Sequence, residues 1–385
     1  DGTLTLDGGT LQFGQYEKTS GGTVVNNTGT LKLAGNRTIA NSVQLGMDPA
    51  INDFFGEDFP DSSFRNVVID DNQHLDIGGA LNVEILLTVD GGELTTDGMT
   101  INLGAGPLRD HIVEAKNGAT VNSGGLLIGG EQHNSGELLL TGANTTWDTG
   151  SDSLYVSDGG NGKLTIEDGA TMLAGFVELG GSVDGGDGKL TVKDNGSSFT
   201  SRSNLIVGGS AGGELIVENG GQLSTQGDVV IGNFVQAQGQ ATLKDDNSTW
   251  QISGDLTVGI SSVNTSSNDN RLTILDGATV NVGDELNVFG SGTLELFGGT
   301  IRFADYSRSE TGMLLYTAGK VQIADDLSAN SGNDIMADFF PTMSINNGKT
   351  LAAEDTAFLT EQLSIDGGTF EAGDVGSPAL LDFRT

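Results

Sequence analysis

The sequence predicts an all-β chain wound as a parallel β-helix, a β-solenoid, with about 25 residues and three short strands per coil. Three observations predict it. A phrase returns at a nearly fixed interval along the chain. Apolar and polar residues alternate strictly within each phrase. Glycine supplies 61 of the 385 residues and proline only 5, a balance that suits many strands joined by tight turns.

The phrase reads "GELLLTGANTTW" from Gly136, "GKLTIEDGATM" from Gly162, "GKLTVKDNGSSF" from Gly188, "GELIVENGGQL" from Gly213, "GQATLKDDNSTW" from Gly239, "NRLTILDGATV" from Asn270 and "GTLELFGGTI" from Gly292. A second phrase lies between them, at Leu154, Val177, Leu205, Val229, Leu256 and Leu286. Leu164 and Ile166 fall on one side of their segment, and Lys163, Thr165 and Glu167 on the other. Such a period of two makes a strand with one buried face. Asp-Gly, Asn-Gly and Gly-Gly pairs supply the turns. One coil cannot bury its own apolar face, so consecutive coils must stack, rising about 4.8 Å each.

From the N-terminus, residues 1–46 follow this grammar as N-terminal coils. Residues 47–65 break it as an acidic, aromatic excursion. The main solenoid runs over 66–324, a second aromatic excursion over 325–343, and C-terminal coils with a terminal strand over 344–385. Asn144 and Asn247 are read as corner residues.

The paired phrases "GANTTWDTGSDSLYVSDGGNGKLTIEDGAT" and "DDNSTWQISGDLTVG" with "NRLTILDGATV" resemble the β-strand repeats in passenger regions of autotransporters and related large bacterial surface proteins. The resemblance covers residues 136–303 well and the flanks loosely. It implies a β-helix at the bacterial surface or outside the cell, and it carries no catalytic motif. No C-terminal stretch resembles the membrane-embedded barrel of an autotransporter. That implies either a barrel outside this sequence or another export route. The absence of a signal segment and the immediate strand pattern suggest a mature or truncated chain.

The formal net charge is −35, from 52 acidic and 17 basic residues. Such a field repels nucleic acid and anionic lipid and attracts divalent cations or a basic partner. Cysteine is absent, which excludes disulfides and thiolate metal sites. No long apolar run predicts membrane insertion.

Polysaccharide-active β-helices need clustered carboxylates with a basic residue in a groove. Here the basic residues are few and scattered. His74, His111 and His133 share no ligand spacing and read as ordinary surface or turn histidines. No catalytic or cofactor-binding residue is assigned, and the chain reads as non-enzymatic. The phrases "GGNGKLTI" and "GGDGKLTV" miss the aspartate of the calcium-binding nonapeptide roll, with Leu164 and Leu190 in its place. Calcium remains a candidate ligand at Asp184 with Asp187 and at Asp53, Glu57, Asp58 and Asp61; solvated turn carboxylates are the competing and favoured reading. Thr165, Thr191 and Thr273 form no lasting ladder, since Ile216 interrupts them.

Trp147 and Trp250 recur at one repeat position, with Phe199 between them. Exposed, they would offer a column for stacking on glycan rings. The favoured alternative buries them as corner aromatics. Phe54, Phe55, Phe59, Phe64, Phe339 and Phe340 of the excursions, with Leu380, Leu381 and Phe383 at the C-terminal end, are candidate interface residues, or else local core. The expectation is a structural protein, a rigid acidic rod that self-associates into a surface fibre or matrix. An adhesin or glycan-binding surface module is the alternative, and a polysaccharide-active β-helix the second alternative.

Overall fold

The computed structural model describes residues 66–323 apart from 84–85, 102–111, 131–134, 182–185, 235–236, 261–268 and 310, together with short strands before and after that span. Every described element is a strand or turn, and the stacked strands pair in parallel. The chain divides into two units, residues 1–202 and 203–385.

In the first unit a coil opens with Ser135–Thr141, turns into Thr146–Asp148 and closes with Leu154–Val156. The next coil repeats this with Asn161–Glu167, Thr171–Ala174 and Val177–Leu179. Equivalent strands stack to form a first, a second and a third column. The register follows the sequence phrases: Gly136 pairs with Gly162, and Gly162 with Gly188. In the third column Leu154 pairs with Val177. Leu138, Leu164 and Leu190 therefore stack inward, all fully buried, as do Leu140, Ile166 and Val192. Each such side chain contributes about 1.5–3 kcal/mol of burial.

The earlier coils of this unit differ from the expected three strands. Glu93–Ile101 and Thr120–Ile128 each run through the corner between the second and third columns as one strand. Further back, Thr30–Leu33, Arg37–Ile39 and Val43–Leu45 stack on the coil that begins at Asn66, with Leu31 against Val67 and Val43 against Leu81. The first excursion, 47–65, lies outside the described residues.

The second unit has the same plan. Gly213 pairs with Gly239 and Asn270 with Gly292 in the first column. Leu205, Val229, Leu256 and Leu286 stack in the third. The 12-residue strand Gly292–Phe303 merges the first two columns. Past it, Met343–Ile345 pairs with Val321–Ile323, and Leu327–Ala329 pairs with Leu351–Ala353. Leu327–Ala329 falls within the expected second excursion, 325–343, and Met343–Ile345 begins on its last residue; residues 330–342 lie outside the described residues. Leu381–Phe383 pairs with Ala357–Leu359 as a rung of the solenoid.

The corner after the first column comes in two forms, and they alternate. In the narrow form two consecutive residues have positive φ, as at Asp168 (54°) and Gly169 (87°). In the wide form the positive φ values are two residues apart, at Gly142 and Asn144, at Asp194 and Gly196, and at Asp245 and Asn247. Asn144 and Asn247 thus sit at corners, as the sequence suggests. The wide form is followed by a buried hydroxyl, Thr145, Ser197 or Ser248, and two residues later by the aromatic Trp147, Phe199 or Trp250. Each hydroxyl oxygen accepts the N–H of a glycine in the coil before: Gly118 to Thr145 at 3.1 Å, Gly169 to Ser197 at 2.9 Å and Gly220 to Ser248 at 3.0 Å. The wide corner makes room for a large ring, and its hydroxyl satisfies a backbone donor that the narrow corner leaves over.

Candidate functional site

The inner faces are filled with apolar side chains, so chemistry is left to the outer faces, and the three columns differ in character. The first column carries ion pairs between successive coils. Glu137 pairs with Lys163, Glu167 with Lys193 at 2.6 Å and Glu218 with Lys244 at 2.7 Å. Arg271 pairs with Glu295 in the reverse sense and also with Asp269 at 2.7 Å. The Glu218 carboxylate holds the Lys244 ammonium above its ordinary range. Exposed pairs of this kind add little stability singly, about 0–1 kcal/mol. Their main effect is on register, because each favours one neighbour coil over another.

The second column presents hydroxyls. Thr120, Thr146, Thr171 and Ser198 stack in register, with 3.1 Å between the hydroxyls of Thr171 and Ser198. Arg202 closes this face in the first unit. Its guanidinium donates to both carboxylate oxygens of Asp148, at 2.6 and 2.9 Å, and to the Gly150 carbonyl at 2.7 Å. It reaches past an intervening coil to do so. The Arg202 hydrogen bonds hold the Asp148 carboxyl below its usual range despite partial burial. His74 lies on the same column and pairs with Glu93 at 2.9 Å.

The third column of the first unit is unlike the others. Tyr155 and Glu178 are register neighbours and project outward, both half-buried. Phe176 meets Tyr155 edge-on, with ring centroids 6.1 Å apart. Asp158 follows Tyr155 round the corner. Burial, with Asp158 nearby, pushes the Glu178 carboxyl above its ordinary range. The two carboxylates converge over Gly181: a Cβ there would lie 3.5 Å from Asp158 Oδ1 and 3.6 Å from Glu178 Cδ. The letters alone do not bring this group together. In "VELGGS" Glu178 is one more outward polar residue, and its neighbours come from another coil and a turn.

Trp147 and Trp250 are fully buried, as the favoured reading of corner aromatics expects, and the alternative of a glycan-stacking column at these two residues is corrected. The Trp147 indole N–H donates to Ser123 Oγ at 2.9 Å and that of Trp250 to Thr225 Oγ1 at 3.2 Å, each in the coil before. No ring face is left for a sugar. Phe199 shares this buried position.

Of the candidate calcium ligands, only Asp187 is described. It is exposed, and its backbone N–H donates to Asn161 Oδ1 at 3.0 Å. Asp53, Glu57, Asp58, Asp61 and Asp184 lie outside the described residues, as do His111 and His133. Among the described residues no three His, Asp or Glu side chains gather to hold a metal. Phe54, Phe55, Phe59, Phe64, Phe339, Phe340 and Leu380 also lie outside them, and for Leu381 and Phe383 only the backbone pairing is described. The large apolar side chains that stand exposed among the described residues are Phe234, Met313 and Leu315.

Together the columns and faces define a parallel β-solenoid repeat protein. No family model matches the chain, and no curated protein or solved structure is found to be similar to it.

Proposed function

We propose that this chain is a non-enzymatic structural protein of the bacterial surface or extracellular space, and that it self-associates. The likeness of its repeat phrase to bacterial surface β-helices supports the location. One observation carries the self-association. Met313 and Leu315 lie two residues apart on one strand, project to the same outward side, and are 54% and 39% exposed. In the coils before them, the same column face carries Arg271 with Glu295 and Lys244 with Glu218. In the three coils before them the register neighbours of this pair are all polar or charged, and an exposed apolar pair following such a face marks an interface.

Sedimentation velocity and negative-stain electron microscopy test this reading over a concentration series. The expected result is reversible assembly that a Met313→Lys, Leu315→Lys double substitution weakens without loss of β-sheet circular dichroism. A monomer at all concentrations would overturn it, as would assembly indifferent to that substitution.

A further inference from the structure

Asparagine followed by glycine is chemically labile. The glycine nitrogen can close on the asparagine side chain, because no Cβ shields it and the backbone turns freely there. The described residues hold four such pairs, at Asn117, Asn161, Asn195 and Asn219, and all four asparagines are exposed. Their corners differ. Asn117 and Asn219 open narrow corners, with φ of 56° and 53°. In that left-handed conformation Cβ and the following nitrogen stand on opposite sides of the Cα–C bond, so ring closure requires the corner to rotate. Their glycine N–H groups are also engaged by the wide corner of the next coil: Gly118 donates to Thr145 Oγ1 at 3.1 Å and Gly220 to Ser248 Oγ at 3.0 Å. Asn161 starts a strand, where the Gly162 N–H donates to the Asp187 carbonyl at 3.0 Å and Asn161 Oδ1 accepts the Asp187 N–H. Asn195 has none of these restraints. It lies in a wide corner between Asp194 and Gly196, its own φ is not positive, and of the four glycines Gly196 is the exposed one. Among the described residues the Gly196 N–H finds no acceptor, and beyond its chain neighbours the nearest heavy atom to a Cβ placed there is Gly169 Cα, at 3.6 Å.

From this contrast we infer that Asn195 is a site of spontaneous covalent modification, deamidation through a cyclic imide, and that the Thr145 and Ser248 hydroxyls shield Asn117 and Asn219 from it. The reaction needs only water and hydroxide. Hydroxide removes the Gly196 N–H proton. The nitrogen then attacks Asn195 Cγ, so that an N–Cγ bond forms, and the Cγ–Nδ2 bond breaks to release ammonia, which takes its extra proton from water. Water next adds to either carbonyl of the ring and leaves aspartate or its β-linked isomer. Nothing is oxidised or reduced. A hydrogen bond from the glycine N–H opposes the first step, since it must break before the proton leaves. The product matters at this place. It adds a negative charge beside Asp194. The isomer also lengthens the backbone next to Ser197, whose hydroxyl accepts the Gly169 N–H at 2.9 Å, and close to the buried Phe199. Conversion therefore loosens one rung of the solenoid as the chain ages. The inference does not rest on self-association.

The test is ageing of the folded chain in mildly alkaline buffer, followed by peptide mapping with mass spectrometry that separates aspartate from its isomer. The expected result is conversion at Asn195 about tenfold or more faster than at Asn117, Asn161 or Asn219, tenfold being the rate equivalent of one net hydrogen bond at about 1.4 kcal/mol. The same chain in urea is the control: with the corners gone, the four pairs should convert at similar rates. Ser248→Ala removes an acceptor and should speed conversion at Asn219 about tenfold, and Thr145→Ala should do the same at Asn117. Ser248→Thr keeps a hydroxyl, the one found at Thr145, and should leave Asn219 slow. Circular dichroism confirms that each variant is folded. A folded-state rate at Asn195 no higher than at the other three would overturn the site, as would the same preference for Asn195 in urea. Rates at Asn219 and Asn117 unmoved by the alanine variants would overturn the shielding, and so would an Asn219 rate raised equally by Ser248→Thr.

Discussion

Replacing Trp147 by alanine separates a core role from a recognition role. The ring is fully buried, and its N–H is held by Ser123 Oγ at 2.9 Å. Removing a buried tryptophan costs about 3–5 kcal/mol through lost burial and the cavity left behind. The hydroxyl of Ser123, itself buried, loses its partner at a further cost of about 1 kcal/mol. Repeat proteins open locally, so the loss should concentrate in neighbouring coils. A loss of about 4 kcal/mol corresponds to about 1,000-fold faster amide exchange there, at about 1.4 kcal/mol per factor of ten. Hydrogen exchange read by mass spectrometry over 120–128 and 171–174 checks this. Trp147→Phe, which keeps most of the ring, should cost about 1–3 kcal/mol. Unchanged exchange with a simultaneous loss of glycan binding would refute the buried assignment.

Three further outcomes follow from local geometry. Ser157 is buried with φ of 75° at a corner where Gly129 and Gly180 take its place in neighbouring coils, and its hydroxyl donates to the Gly186 carbonyl. Ser157→Ala keeps the strain and loses the bond, so it should destabilise by about 1–2 kcal/mol, whereas Ser157→Gly relieves the strain and should cost less; denaturant titration ranks them. Asp148 has its carboxyl lowered by Arg202, so its contribution to stability is present above the ordinary carboxylate range and is lost as pH falls through the folded value. Arg202→Gln should flatten that acid-side slope in a pH series of unfolding midpoints, and an unchanged slope would count against the clamp. Glu178 has the opposite sign: its carboxyl is raised, so ionisation disfavours the fold as pH rises past the unfolded value. Glu178→Gln should therefore stabilise the chain at pH 7 and lose that advantage at pH 3; a loss at pH 7 would contradict the assignment.

The fold was legible because its rules are local and repeated. Gly136, Gly162 and Gly188 align in the sequence and pair in the ladder, since alternation fixes which side chains face inward and a one-residue slip would expose Leu164 and Ile166. The alternation of wide and narrow corners was present in the letters too. "GANTTW", "DNGSSF" and "DDNSTW" differ from "DGATM", "NGGQL" and "DGATV" by one residue and a hydroxyl. It emerges only once the hydroxyl is seen to accept from the glycine one coil earlier. The same register decides Trp147 for the favoured buried reading over the outward one, because it aligns the ring with inward Met172 and Phe199. Thr165 and Thr191 form no lasting ladder in the letters, whereas the longer hydroxyl column runs through Thr120, Thr146 and Thr171. The Glu178 group was not legible, because Tyr155, Asp158 and Glu178 meet only across a coil and a corner.

The coil-to-coil register underlies every assignment made above, and engineered cysteines test it most directly in a chain that has none. Leu139 and Thr165 are outward register partners on adjacent coils, and parallel strands lie about 4.8 Å apart, within disulfide reach. Leu139 and Thr191 are two coils apart, at about twice that distance, beyond reach. Under mild oxidation the Leu139→Cys, Thr165→Cys chain should form an intramolecular disulfide in high yield, and the Leu139→Cys, Thr191→Cys chain should not. Cross-linking of the second pair in preference to the first would contradict the stacked solenoid.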